Sequence, residues 1–142
     1  MQIKYTAHAT ASQGGRGRGH AETDDGKISV RFSTPKPMGG DDGPGTNPEQ
    51  LFATGYSACF LGAMHAAARR AKEPLTDDAT VTADVSFADR EDNIGFTIVA
   101  KLTAKVPGMD KARVEDLMRR AHDICPYSNL IRFAHDVELV AA

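Results

Sequence analysis

Alternation of apolar and polar side chains marks several stretches of this chain as half-buried strands, and two longer stretches carry apolar residues at helical spacing. Residues 2–10 alternate loosely. Residues 27–33 do so clearly, with Ile28, Val30 and Phe32 on one face and Lys27, Ser29, Arg31 and Ser33 on the other. Between them a glycine-rich loop, Gly14-Gly15-Arg16-Gly17-Arg18-Gly19, leads to a short strand, and Asp24-Asp25-Gly26 signals a hairpin turn. Residues 79–88 place Val81, Ala83, Val85 and Phe87 on one side. Residues 94–106 repeat the pattern through Phe96, Ile98, Ala100, Leu102, Ala104 and Val106. The charged run Asp89-Arg90-Glu91-Asp92-Asn93 joins the two into a long hairpin, and residues 135–140 read as a final strand.

The helix signals are equally local. Asn47 suits an N-cap, Pro48 the first helical position and Glu49 the first turn, which predicts a helix from Pro48 to about Lys72. Its middle carries small residues at Gly55, Cys59, Gly62 and Ala66 along one stripe. Each glycine costs about 1 kcal/mol relative to alanine in a helix interior, so the stripe implies another element pressed against it. Asp110 caps a second helix through Val114, Leu117, Met118, Ala121 and His122, which stops near Cys125-Pro126, with a short helical turn following through Leu130. Residues 35–47, rich in glycine and proline around Asp41-Asp42, form a long loop. The order βββ-α-ββ-α-β predicts an α+β fold in one domain, residues 1–142, without repeats or an internal linker.

Composition narrows the partners. A chain of 142 residues that is 41% hydrophobic and 25% charged buries one sizeable core. A net charge of −2, with no basic run, argues against nucleic acid. The first residues have the features of neither a signal nor a transit peptide. The longest apolar-rich stretch, residues 53–68, is interrupted by Thr54, Ser57 and His65 and falls short of the roughly 20 apolar residues of a membrane span. The expectation is a cytoplasmic protein that engages neither membrane nor nucleic acid. In that reducing compartment the two cysteines, Cys59 and Cys125, are buried thiols, metal ligands or redox-active groups.

Each reading has residues behind it. Free cysteines are among the most buried residue types, so two unrelated core thiols are one reading. His122-x-x-Cys125 looks like half of a zinc site, with Cys59 and His65 as further ligands, although these two fall on different faces of a helix. A redox role needs a thiolate, and a thiolate in apolar surroundings needs a cation nearby. Arg16 and Arg18 are the candidates, and Glu49 is placed to orient one of them through a bidentate pair. The glycine cluster lacks the Gly-Lys-Ser/Thr ending of a phosphate loop, which argues against nucleotide binding.

Three separated segments then form a pattern: Gly45-Thr46-Asn47-Pro48-Glu49-Gln50-Leu51-Phe52-Ala53, Gly55-Tyr56-Ser57-Ala58-Cys59-Phe60 and Ala121-His122-Asp123-Ile124-Cys125-Pro126-Tyr127-Ser128-Asn129. Together they resemble the OsmC/Ohr family of thiol peroxidases, and within it the organic hydroperoxide resistance branch. The resemblance implies antiparallel sheets wrapped around two central helices in an intertwined homodimer. It implies Cys59 as the peroxidatic cysteine and Cys125 as the resolving one, joined in a transient disulfide. It further implies an arginine held by Glu49, with Arg16 favoured by the motif spacing and Arg18 the alternative. The implied enzyme has no cofactor and no metal, takes fatty-acid-type and other organic hydroperoxides, and is recycled by a dihydrolipoyl-bearing protein. An oxidant-sensing or ligand-binding module on the same scaffold, without efficient turnover, is the reading from another class.

Overall fold

The Asp24-Asp25-Gly26 turn closes a hairpin: in the computed structural model, which describes residues 1–141, the Gly26 N–H donates to the Thr23 carbonyl and the Thr23 N–H to the Ile28 carbonyl. The hairpin joins β2 (His20–Thr23) to β3 (Ser29–Arg31), and β1 (Ala9–Ser12) pairs antiparallel with the other edge of β2. The glycine-rich loop between β1 and β2 tightens into a 3-10 turn, Gly15–Gly17. Gly19 must lack a side chain, because a Cβ there would overlap the Ser12 carbonyl oxygen. After β3 the long loop contains only one short 3-10 turn, Lys36–Met38, and returns to the sheet through a parallel bridge between Phe32 and Thr46. These elements make up the first of two compact units, Met1–Leu51.

Helix α1 (Pro48–Arg70) starts where its capping signals lie, with the Gln50 N–H donating to Asn47 Oδ1 at 2.8 Å. Most of it belongs to the second unit, from Phe52 onward. There β4 (Thr80–Asp89) and β5 (Phe96–Lys105) form a two-stranded antiparallel hairpin in register from Thr80↔Lys105 to Asp89↔Phe96. Helix α2 (Lys111–Ile124) follows, capped by Asp110 Oδ1 accepting from the Arg113 N–H at 3.0 Å, and then α3 (Pro126–Phe133). One apolar cluster joins Tyr56, Phe60, Met64, Ala67 and Ala68 of α1 to Val114, Leu117 and Ala121 of α2, with Val81, Leu102 and Ala104 of the hairpin packed against it. Burying a side chain such as Leu117, fully inaccessible here, stabilises the fold by about 1.5–3 kcal/mol. By length and composition α1 is long and apolar enough to cross a membrane; a third of that stretch is buried, with Tyr56, Phe60 and Met64 in this core.

Three expectations are corrected. Residues 2–8 and 135–140 are not strands, since an alternating segment becomes a strand only beside a partner edge: the pairing with β2 ends where the Asp24 N–H donates to the His8 carbonyl, and among the described residues no edge lies beside the rest of either segment. Val137, Leu139 and Val140 are left exposed. The element order therefore ends α-α, because Pro126 nucleates a helix through Phe133 rather than a single turn. Lastly, the apolar face of β5 is covered only at its Leu102–Ala104 end, leaving Phe96 and Ile98 in solvent within the single chain.

The small-residue stripe of α1 divides in the same way. A Cβ on Gly55 would lie 2.7 Å from the Tyr127 hydroxyl, whereas one on Gly62 would meet nothing within 4 Å. Gly62→Ala should therefore stabilise the chain by about 0.5–1 kcal/mol, through higher helix propensity and a less flexible unfolded state. Gly55→Ala should lose that gain to displacement of the Tyr127 ring. Urea midpoints of the two variants check the contrast; equal gains would mean that Tyr127 does not press on α1.

Candidate active site

Proline keeps the residue before it out of helical conformation. Cys125 accordingly sits at φ −73°, ψ 124°, where it ends one helix and begins the next. Its N–H donates to the Ala121 carbonyl at 2.8 Å, and its carbonyl accepts from the Asn129 N–H at 2.9 Å. Held from both sides, its side chain is fully buried. Cys59, in the middle of α1, is half-buried, and the two sulfurs are 3.4 Å apart as free thiols.

The element pressing on α1 beside Cys59 is α3. The Tyr127 ring stacks near Phe52 and Tyr56, with centroids 5.6 and 5.7 Å away, and lies over Gly55. Next to it the Tyr56 and Ser128 hydroxyls share a hydrogen bond of 2.9 Å in the interior.

Burial pushes the Cys59 thiol above its ordinary range, because the thiolate is poorly solvated there. The Tyr127 main-chain N–H, one of the donors left free in the first turn of a helix, opposes this by donating to the sulfur, and the neighbouring Cys125 thiol adds to the rise. A partly exposed sulfur beside a buried one is an asymmetric pair: Cys59 is open to solvent and Cys125 is not.

In the first unit, Arg16 and Glu49 form a bidentate ion pair, with Nη1 donating to Oε2 at 2.9 Å and Nη2 to Oε1 at 2.7 Å. The hydrogen bonds from Arg16 hold the Glu49 carboxyl below its ordinary value. The carboxylate is the more buried partner, at 11% exposure against 42% for the arginine, so Glu49 anchors and Arg16 presents. Arg18 has no carboxylate partner among the described residues. Of the two arginines left open by the sequence, Arg16 is the one that Glu49 holds.

The zinc reading lacks its ligands: among the described residues no three His, Cys, Asp or Glu side chains gather as a metal site. Of the apolar residues near the motifs, Phe60 lines a cavity of about 330 Å³ together with Tyr56, Leu102, Met118 and His122, and Met64 is core. Sequence reasoning assigned no role to Tyr127 or Ser128. Their one local signal is a polar pair directly after the Cys125-Pro126 helix start.

A family model described as OsmC-like protein matches residues 39–140. The chain is 46% identical over 141 residues to the organic hydroperoxide resistance protein of Xanthomonas axonopodis pv. citri, covering 99% of this chain and 96% of that relative. It is 38% identical over 136 residues to the organic hydroperoxide resistance protein OhrB of Bacillus subtilis, covering 95% and 96%. Among solved structures, an organic hydroperoxide resistance protein from Legionella pneumophila matches with TM-score 0.83 and 40% identity, over 93% of both chains. The structure of OhrB of Bacillus subtilis matches with TM-score 0.80 and 37% identity, over 94% of this chain and 96% of that one. The thiol pair, the Arg16–Glu49 pair and this α+β fold therefore sit in a chain that belongs to the OsmC family, on its organic hydroperoxide resistance branch.

Proposed function

We propose that this protein is a cysteine-based peroxidase that reduces organic hydroperoxides to alcohols and so contributes to organic hydroperoxide resistance. The observation that carries the reading is the half-buried Cys59 sulfur 3.4 Å from the buried Cys125 sulfur. The Cys59 thiolate attacks the terminal oxygen of ROOH, the O–O bond breaks, and the alkoxide leaves as ROH after taking up a proton. Cys59 is left as a sulfenic acid. The Cys125 sulfur then attacks the Cys59 sulfur, the S–S bond forms and the S–O bond breaks with release of water. A dithiol reduces the disulfide and completes the cycle.

In this mechanism Arg16, oriented by Glu49, supplies the positive charge that favours the Cys59 thiolate and the developing alkoxide. Apolar surroundings of Cys59 favour alkyl and fatty-acid hydroperoxides over hydrogen peroxide. The reductant in this reading is a dihydrolipoyl group on a partner protein, and the cycle needs no other cofactor. A cycle that depends on a regenerated thiol pair suits a reducing, cytoplasmic location.

The reading includes a homodimer. Ile94, Phe96, Ile98 and Val99 on the hairpin, and Val137, Leu139 and Val140 near the C-terminus, are exposed in the single chain, an apolar surface that a second copy would cover. Residues 2–8 and 135–140 alternate as strands do and would find edges on that second copy. It also treats residues 1–142 as one functional domain, since the family match runs across both units.

Intact-mass measurement after one equivalent of an alkyl hydroperoxide tests the proposal. The expected product has lost two hydrogens, mapped to Cys59 and Cys125. Cys125→Ser should instead accumulate the Cys59 sulfenate, trapped by dimedone, and stop turning over with dihydrolipoamide after one equivalent. Sustained dithiol turnover in that variant would remove Cys125 from the cycle. Stoichiometric oxidation of the unaltered chain without dithiol turnover would favour the sensing module instead.

A further inference from the structure

A buried hydroxyl pair links α1 to α3 within a turn of each cysteine. Tyr56 precedes Cys59 on α1, Ser128 follows Cys125 on α3, and their oxygens are 2.9 Å apart, with Ser128 fully buried and Tyr56 nearly so. Phenylalanine and alanine would fill much the same space without taking two hydroxyls out of water. What the hydroxyls add is direction, since a buried hydrogen bond fixes the register of the elements it joins. The elements joined here carry the two sulfurs.

We infer that the Tyr56–Ser128 hydrogen bond is a positioning device for disulfide closure, holding the start of α3 against α1 so that the Cys125 sulfur stays within reach of Cys59 after oxidation. The inference rests on the thiol chemistry proposed above. The sulfurs, 3.4 Å apart, must approach to about 2.05 Å, and closure competes with a second oxidation. In closure, Cys125 attacks the Cys59 sulfur, the S–S bond forms, the S–O bond breaks, and the departing hydroxide takes the Cys125 proton and leaves as water. In the competing step a second ROOH transfers its terminal oxygen to the sulfenate, giving a sulfinate and ROH, and that product is not recovered by thiols. The ratio of sulfinate to disulfide at fixed hydroperoxide excess reports closure relative to that second oxidation. It does not depend on how fast the first oxygen arrives.

The test uses the full chain and three variants, Tyr56→Phe, Ser128→Ala and the double variant, each treated with the same excess of tert-butyl hydroperoxide and weighed intact. The sulfinate-to-disulfide ratio should rise on the order of tenfold to a hundredfold in each single variant, the range that a misplacement of about 1 Å costs a reaction. The double variant should show no further rise, because both substitutions remove the same bond. Stability is the control. Each single variant strands one buried hydroxyl, whereas the double variant strands none, so its denaturation midpoint should recover while its ratio stays high. A ratio that returns to the original value along with stability would make the bond merely structural and overturn the inference. So would unchanged ratios in all three variants with the Cys59–Cys125 disulfide still forming. If the unaltered chain is not oxidised at Cys59 at all, the proposed function falls and takes the inference with it.

Discussion

Cys59→Ser should reduce hydroperoxide consumption to the uncatalysed background, a loss on the order of 10⁶ where a covalent nucleophile is removed outright. Serine keeps the shape and the hydrogen-bonding capacity of the side chain. It gives up the sulfur that can accept an oxygen atom and later lose it as water when a thiol attacks. Cys125 cannot substitute. It is fully buried, its main chain is locked between two helices, and an oxidant that reaches the half-exposed Cys59 position meets it only behind that residue. Coupled assays with dihydrolipoamide and an alkyl hydroperoxide give the rate directly, and circular dichroism establishes that the variant is folded. Consumption retained at more than a small fraction would mean that the thiol pair is not the reaction centre.

How much of this site can be read from the sequence depends on how local its determinants are. The start of α1 is written in consecutive residues, Asn47, Pro48 and Glu49, and the structure forms it there with the expected cap. The break at Cys125 is equally local, because Pro126 dictates the conformation of the residue before it. Strand pairing is different. Residues 2–8 and 135–140 carry the same alternation as β4, but alternation records which side chains want burial and not which edge will cover them. The stripe on α1 shows the same limit: Gly55 and Gly62 look equivalent in sequence, yet only Gly55 has a neighbour, Tyr127 from α3. The Tyr56–Ser128 bond joins residues 72 apart and leaves no periodic trace. The motif spacing favours Arg16 and leaves Arg18 as the alternative; which guanidinium the Glu49 carboxylate holds is a contact between residues 33 apart that only the folded chain shows.

That choice predicts the second large effect. Arg16→Ala should lower kcat/KM by about 10²–10³, the usual cost of losing a preorganised charge at a developing anion, while Arg18→Ala leaves it near the original value. An arginine gripped at both nitrogens by Glu49 has little side-chain freedom left to lose in the transition state, and Arg18 has no such anchor. Under the proposed mechanism the same substitution also moves a titration. Burial raises the Cys59 thiol, so without a countercharge the thiolate is scarce at neutral pH. The rate of iodoacetamide alkylation against pH should therefore shift to more alkaline values in Arg16→Ala and stay in place in Arg18→Ala. Glu49 sets the acid limit. Its folded value lies below the ordinary 4.5, so the pair's contribution is complete above 4.5 and is lost as pH falls through the lower, folded value. Glu49→Gln should then abolish that acid limb while weakening the hold on Arg16 at every pH. An alkaline shift in Arg18→Ala with none in Arg16→Ala would reverse the assignment, and Glu49 would then be holding a structural arginine.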